Sequence, residues 1–255
     1  MKKIIINQDL DLEMNTLEEE LSFELNDKQE HFLYLSNLNK NNNIVIDVFE
    51  SGILHLSILA DSVIEYLSLS INLKKNTQLI VYFADFSSKI NKSDVVIHLE
   101  EEGANAIWHL ASLASNDDNK NISVSVIHES PSTFARVDNY GVSKESSKLV
   151  FAGTSHILNG MSNSKTHQNA KIMVFDANSD AVAKPILKID ENDIEASHAA
   201  AVGKISDEQI FYLTSRGLSI DDARMLITLG YLKPIFKGFD QQKVEKINSI
   251  IEGRL

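Results

Sequence analysis

Short runs of apolar residues, many of them rich in Val and Ile, recur between residues 44 and 189 and limit the folds that this chain can adopt. In the run at 53–59, the polar His55 and Ser57 alternate with apolar residues, which is the period of a strand with one buried face. Long helical patterns between the runs are scarce, which disfavours a sheet of alternating strands and helices. The runs are Ile44–Val48, Ile53–Leu59, Leu79–Phe83, Val95–Leu99, Ile122–Ile127, Leu149–Phe151, Ile172–Phe175 and Ile186–Ile189.

The spacing of these runs is typical of a repeating β architecture. Six of them begin at residues 79, 95, 122, 149, 172 and 186, with uneven intervals and no consensus motif. Polar segments such as Asn116–Asn121 and Asn159–Ser164 join them. Irregular strands joined by Asn, Ser and Gly turns fit a parallel β-helix, a jelly roll or a β-sandwich, and the pattern alone does not choose between them.

From residue 204 onward the pattern becomes helical. Ser206 begins a capping box, Ser-Asp-Glu-Gln, and predicts a helix that runs to Arg216 and is ended by Gly217. A second helix is expected from Ser219 to Gly230, and a third from about residue 240. The sequence therefore predicts a β domain over residues 1–203 and a helical domain over 204–255. The third helix should bury a stripe of Val244, Ile247, Ile250 and Ile251.

Composition excludes several classes of function. The formal net charge of −12 at pH 7 disfavours binding to nucleic acid or to anionic membranes. The chain has no cysteine, which excludes disulfides, zinc–thiolate sites, thiol nucleophiles and persulfide carriers on this chain. The apolar run near Met1 is too short for a signal peptide, and no run approaches the ~20 residues of a membrane span. A cytoplasmic location is therefore expected.

Local polar features offer little catalytic chemistry. The sequence has no P-loop, dinucleotide fingerprint, nucleophile elbow or zinc-protease helix. His98 and His109 are isolated and are interpreted as surface residues, and the acidic runs Glu100–Glu102 and Asp117–Asp118 as solvated loops rather than cation sites. The helical pair around Gly217 resembles a helix-turn-helix, but its second helix opens with two aspartates that would repel phosphate. It is interpreted as an ordinary helical hairpin.

A string of motifs between residues 184 and 231 is the most specific feature of the sequence. It comprises KPILKI at 184–189, NDIEASH at 192–198, VGKI at 202–205, DEQIFYLTSRGL at 207–218, and Ala223, Leu226, Ile227, Gly230 and Tyr231. This string resembles the SufB/SufD family. The resemblance spans residues 151–255, and upstream of residue 150 we find only a compatible strand pattern.

The resemblance implies a mainly β fold, a right-handed parallel β-helix (solenoid) followed by a small C-terminal helical domain. It implies that the β-helices of two such subunits pair. It also implies that the helical tail docks the ABC-type ATPase SufC, and that the protein acts in iron–sulfur cluster assembly as a scaffold subunit rather than an enzyme. The expected partners are a SufB-like subunit and a SufC-like ATPase, with a homodimer when the chain is alone.

Two departures from the family pattern affect which residues of this chain could bind iron or a cluster. The chain has His198 followed by three alanines where the family commonly has His-Gly-Ala-Thr, and Ala196 where it often has cysteine. SufB-type subunits need a thiol, so the resemblance places this chain on the SufD side and implies that it binds no cluster stably by itself. We expect iron or a transient cluster to be shared with a SufB-like partner, with His198 as the imidazole ligand and Glu195 as a secondary candidate.

The first helix of the tail carries four consecutive apolar residues, Ile210–Leu213, which cover more than one face. One face is thus left for the β domain or for a partner. Aromatic and Arg side chains usually dominate interfaces. The candidate contacts of a SufC-like ATPase are Phe211, Tyr212, Arg216, Met225 and Tyr231.

Two other classes of function remain open at this point. A β-helix carbohydrate-active enzyme would need paired acid and base residues along a groove, and the sequence offers no convincing constellation of that kind. A purely structural solenoid would need no site. Copurification with an ABC-type ATPase would separate the assembly function from both alternatives.

Overall fold

The chain forms a parallel β-solenoid with a helical tail in the computed structural model, which describes residues 2–255. Successive strands alternate between two eight-stranded sheets, and neighbouring strands within each sheet run parallel. Sheet A consists of β1 (Lys2–Ile6), β3 (Glu20–Leu25), β5 (Asn41–Val48), β7 (Tyr66–Leu73), β9 (Ile90–Leu99), β11 (Asn119–His128), β13 (Lys148–Ile157) and β15 (Asp180–Ile189). Sheet B consists of β2 (Leu10–Glu13), β4 (Glu30–Ser36), β6 (Ile53–Ala60), β8 (Gln78–Asp85), β10 (Asn105–Ala114), β12 (Phe134–Ser143), β14 (Ser164–Val174) and β16 (Ile194–Lys204).

The parallel solenoid confirms the expected fold class and sets aside the jelly roll and the sandwich. Each of the eight predicted runs falls on a strand, although β14 ends at Val174, one residue before the run does. The stretch through His198, which none of the predicted runs includes, forms the last strand, β16. The register with β14 explains this, because Ala199, Ala200 and Ala201 each have a partner there.

The core consists of in-register rows of apolar side chains. Phe23, Ile46, Ile71 and Ile97 are consecutive partners across sheet A, and each is completely buried. Such rows let identical positions of successive turns stack on one another, so each turn buries the apolar face of the next. The tight corners between strands place Asn76 and similar residues at positive φ, a conformation that Asn adopts readily.

The tail contains three α-helices, α1 (Asp207–Ser215), α2 (Ile220–Leu232) and α3 (Gln241–Glu252), with a 3₁₀ segment, Lys233–Gly238, between the last two. Each helix begins where the sequence predicts, because Ser206, Ser219 and Asp240 accept hydrogen bonds from backbone N–H groups as N-caps. Helix α2 was expected to end at Gly230 but runs on to Leu232, which is buried against sheet B. None of the helices in residues 2–255 combines the length and apolarity needed to cross a bilayer.

The tail packs on the outer face of sheet B near the C-terminal ends of its strands. Leu232, Ile235, Ile247 and Ile251 join one buried apolar cluster with residues of β6, β8, β10 and β12. The Ser57 hydroxyl donates to the Gly238 carbonyl at 2.5 Å, which joins β6 to the 3₁₀ segment. The change from strand to helix falls between Lys204 and Asp207, and the helices share their core with the solenoid.

Charged groups are buried where the tail meets the solenoid corners. The Arg254 guanidinium contacts the Asp118 carboxylate and donates to the carbonyls of Phe86 and Ser87 at 2.6 and 2.7 Å. The interpretation of Asp117–Asp118 as a solvated loop is therefore wrong for Asp118, which is only 3% exposed. Its carboxylate also accepts hydrogen bonds from the backbone N–H groups of nearby corners, so it closes turns of the solenoid.

Candidate functional site

The solenoid is open at its C-terminal end. Strands β15 and β16 are the last strands of sheets A and B, and within residues 2–255 each has a neighbour on one side only. Ile186 of β15 is 52% exposed and Val202 of β16 is 47% exposed. Unpaired strand edges present rows of backbone N–H and C=O groups to a neighbouring chain. The open end is therefore suited to pairing with another solenoid.

His198 lies in the middle of β16 on the row of side chains that points into the solenoid. Its register partner in β14 is Gln168, whose own partner in β12 is Val137, and both of these are buried. Since no further turn of the part of the chain that the structure describes covers β16, His198 is exposed although it occupies an inward-facing position. Ala196 and Ala200, two positions away on the same face, leave room around the imidazole.

Glu195 lies on the opposite face of β16 from His198, because the two are three positions apart in one strand. The Glu195 carboxylate pairs with Lys165 at 3.1 Å and lies 3.7 Å from His167 on the outer face of β14. His167 Nδ1 is within 2.8 Å of the Ser197 hydroxyl. The two candidate ligands predicted from the sequence therefore do not share a face within this chain.

The other histidines singled out in the sequence have structural partners. His98 Nδ1 lies 2.8 Å from Glu129, and the ring of His109 stacks on Tyr82 at 5.1 Å. Burial lowers the pKa of His109, although Asp138 opposes this shift. Within residues 2–255, no three His, Asp or Glu side chains are grouped so as to hold a metal ion. A metal or cluster shared with another subunit would thus need ligands from that subunit.

The tail exposes an apolar surface on α1 and α2. Helix α1 buries none of its residues, and Phe211 and Tyr212 are 73% and 57% exposed. The Arg216 guanidinium lies over the Tyr212 ring at 5.2 Å. Between the two helices is a groove of about 390 Å³ lined by Glu208, Gln209, Tyr212, Leu213, Leu226 and Ile227. Exposed apolar groups of this kind on a helical hairpin are typical of protein-binding surfaces.

The remaining two predicted contacts of the tail are less accessible. Met225 is half-buried. Tyr231 packs edge-to-face against Tyr140 of β12 with ring centroids 5.8 Å apart, and its burial raises the pKa of its hydroxyl to about 12. Leu226, which is 53% exposed, lines the groove in their place. Sequence reasoning did not single it out as a contact, because the face of α2 that packs on sheet B follows from the tertiary structure.

Comparison with known proteins places this architecture in a family. Residues 36–231, well over half of the chain, match the family model described as "SUF system FeS cluster assembly, SufBD core domain". The chain belongs to the SufB/SufD family. The match extends the resemblance upstream from residue 151 to residue 36, so most turns of the solenoid are part of the SufB/SufD core. It also includes α1 and most of α2.

Individual members of the SufB/SufD family are also similar to this chain. The "Iron-sulfur cluster assembly protein SufD" of Bacillus subtilis is 31% identical over 140 residues, covering 54% of this chain and 32% of that protein. The SufB protein of the same organism is 26% identical over 168 residues, covering 66% of this chain and 36% of that protein. A SufBD family protein of Staphylococcus epidermidis is 26% identical over 151 residues, covering 59% and 32%. The chain thus spans about a third of the length of these curated relatives.

Proposed function

We propose that this chain is a SufD-like, non-catalytic scaffold subunit of a SufB–SufC–SufD iron–sulfur cluster assembly complex. The observation that carries the proposal is the exposed His198 at the open end of a SufB/SufD-type solenoid that has no cysteine. An imidazole is a suitable ligand for iron, whereas a cluster also requires thiolates, which only another subunit can supply here. The higher identity to SufD than to SufB supports the SufD-like assignment.

The partner at the open end is, in this proposal, a SufB-like subunit. The exposed edges of β15 and β16 offer backbone hydrogen bonds to the last strands of a second solenoid. When alone, the chain would use the same edges to form a homodimer. Sedimentation of the chain with and without a co-expressed cysteine-bearing relative tests this pairing. A monomer at high concentration in both samples would rule it out.

Replacing His198 by alanine should remove the cluster from the co-expressed complex while leaving the complex assembled. Because His198 is exposed, its loss should leave the melting temperature of the complex unchanged. The matched control is His167→Ala, which removes a histidine from the outer face of the neighbouring strand. Visible absorption reports the cluster content, and the melting curve of the same sample reports the fold. Normal absorption with a lowered melting temperature would make His198 a structural residue.

The apolar surface of α1 and α2 is proposed to dock the SufC-like ATPase, which would hydrolyse ATP for the complex. Exposed Phe211, Tyr212 and Arg216, with Leu226 in the groove, would supply the aromatic, Arg and aliphatic anchors that usually dominate an interface. Helix α1 is available for this because none of its residues is buried against the solenoid. Tyr231 would instead support α2 from beneath through its contact with Tyr140.

The double variant Phe211→Ala/Leu226→Ala should weaken ATPase binding by about 30-fold, the effect of losing a hot spot of roughly 2 kcal/mol. The control variant is Phe32→Ala, which removes another exposed phenylalanine, 50% exposed on β4, that lines a cleft with Lys237 and Lys243 and lies outside the groove between α1 and α2. Calorimetric titration with the ATPase gives both affinities. Equal affinities for the two variants would contradict docking on this surface.

Family membership favours this proposal over a purely structural solenoid and over a carbohydrate-active enzyme. Copurification of an ABC-type ATPase and a cysteine-bearing relative with this chain would support it against both alternatives. The cytoplasmic location stays a prediction from the sequence.

A further inference from the structure

The side-chain amide of Gln168 crosses the interior of the solenoid near its open end. Gln168 lies on β14 in sheet B, yet its Nε2 donates to the Ser155 hydroxyl of β13 at 2.7 Å and to the Ile186 carbonyl of β15 at 3.1 Å. The Ser155 oxygen also accepts a hydrogen bond from the Thr166 hydroxyl at 2.9 Å. The side chains of Gln168, Ser155 and Thr166 are buried, so the hydrogen bonds among these three form away from bulk water. Gln168 thereby ties sheet B to the last two strands of sheet A.

Small side chains occupy much of the interior of the last turn. The register with buried residues of β13 and β14 places Ala183, Pro185 and Leu187 of β15, and Ala196, His198 and Ala200 of β16, at the middle inward-facing positions. Earlier turns fill the equivalent interior with Leu, Ile, Phe and Trp. Small side chains make few contacts across the interior. The hydrogen bonds of the Gln168 amide therefore add a specific polar link between the two sheets at this end.

Gly153 makes room for this amide. A Cβ at Gly153 would lie 2.7 Å from Gln168 Oε1, a distance at which one of the two groups must move. Gly153 and Gln168 also line one small internal cavity with Pro185 of β15. Because Gly153 has no side chain and the Gln168 amide donates two hydrogen bonds, the amide is held in one orientation.

We infer that Gln168 is a positioning residue for the open end, which sets the spacing of β15 and β16 and so the place of His198 between the two edges. The inference rests on the proposed pairing with a SufB-like subunit. His198 is the register partner of Gln168, so the tie lies directly beneath the residue that would face the partner. The edges of β15 and β16 can pair with one partner at the same time only when their spacing matches that of the partner's edge strands. A spacing that is already fixed in the free chain avoids the entropic cost of ordering the two strands on binding.

The test compares Gln168→Leu with Asn139→Leu. Asn139 is a matched control because it is a buried amide one strand deeper in sheet B, where it accepts a hydrogen bond from Trp108 Nε1 at 3.1 Å. Gln168→Leu should weaken binding to the cysteine-bearing partner about tenfold, which is the scale of one lost hydrogen bond. It should also speed hydrogen exchange of backbone amides in β15 and β16 of the free chain. Asn139→Leu should lower the melting temperature without either effect.

Unchanged affinity of Gln168→Leu, or an equal loss of affinity in both variants, would overturn the positioning role. Gly153→Ala provides a second route, because it keeps the amide but displaces it, and should change affinity and exchange in the same direction as Gln168→Leu. If the unaltered chain does not bind the partner at all, the proposed function fails. The exchange measurement on the free chain then still decides the inference, since equal exchange in the Gln168 and Asn139 variants would refute it.

Discussion

Replacing Lys120 by methionine should destabilise the protein by about 3–5 kcal/mol, because it leaves a buried carboxylate without its counter-charge. Lys120 Nζ lies 2.9 Å from Asp85 Oδ2, and neither side chain is exposed. Ser87, Asn91 and Ser112 also donate hydrogen bonds to this carboxylate. Burial alone would raise the pKa of Asp85, but Lys120 and these donors hold it below its usual value.

The double variant Asp85→Asn/Lys120→Met is the control for this prediction. It buries no charge and keeps an acceptor for the hydroxyl donors, so it should recover much of the lost stability. In the single variant, burial should raise the pKa of Asp85 above its unfolded value near ~3.9, so that stability rises as the pH falls. Urea unfolding at several pH values measures both effects. A loss below about 1 kcal/mol would show that the buried pair contributes little.

The solenoid could be predicted from strands whose residue types match their environment, and two of the strands outside the predicted runs, β12 and β16, lack this match. The run Ile122–Ile127 alternates in the expected way and forms most of β11. Strand β12 was not recognised, because its inward-facing row includes Asn139 and Gly141, which are poor strand formers. The alanines of β16 indicate no strand by themselves, because their pairing with β14 comes from the neighbouring turn.

The sequence could predict which residue marks the candidate site, but not how the side chains around that residue are arranged. The family string identified His198, and the register with Gln168 shows which way it faces. Sequence proximity suggested that Glu195 belongs to the same site, but alternation along β16 sends it to the other face. The tie formed by Gln168 was invisible in the sequence because its partners, Ser155 and Ile186, come together only through the winding of the chain.

A buried histidine should make the protein sensitive to mild acid. His128 is completely buried, and its Nδ1 lies 2.7 Å from the Thr133 hydroxyl. That hydroxyl can donate its proton to the Ser130 carbonyl at 3.1 Å, and so accept one from Nδ1. The other ring nitrogen, Nε2, is buried without a hydrogen-bond partner in the described structure. Protonating the ring would put an uncompensated charge there, and burial lowers the pKa of His128 to about 4.

The sign of the pH dependence follows from the two protonation states. An unfolded chain binds a proton at this histidine below its ordinary pKa of about 6.5, whereas the folded protein does not until about pH 4. Stability should therefore fall as the pH is lowered through this range, by about 3 kcal/mol in total. The control is His128→Asn, which keeps a donor toward Thr133 but does not titrate. Subtracting the unfolding free energy of His128→Asn from that of the unaltered protein cancels the contribution of the other histidines. This difference should become steadily less favourable to the unaltered protein as the pH falls from 7 to 4.5. Parallel stability profiles would show that His128 takes up its proton in the folded state as easily as in the unfolded chain, and that water reaches Nε2.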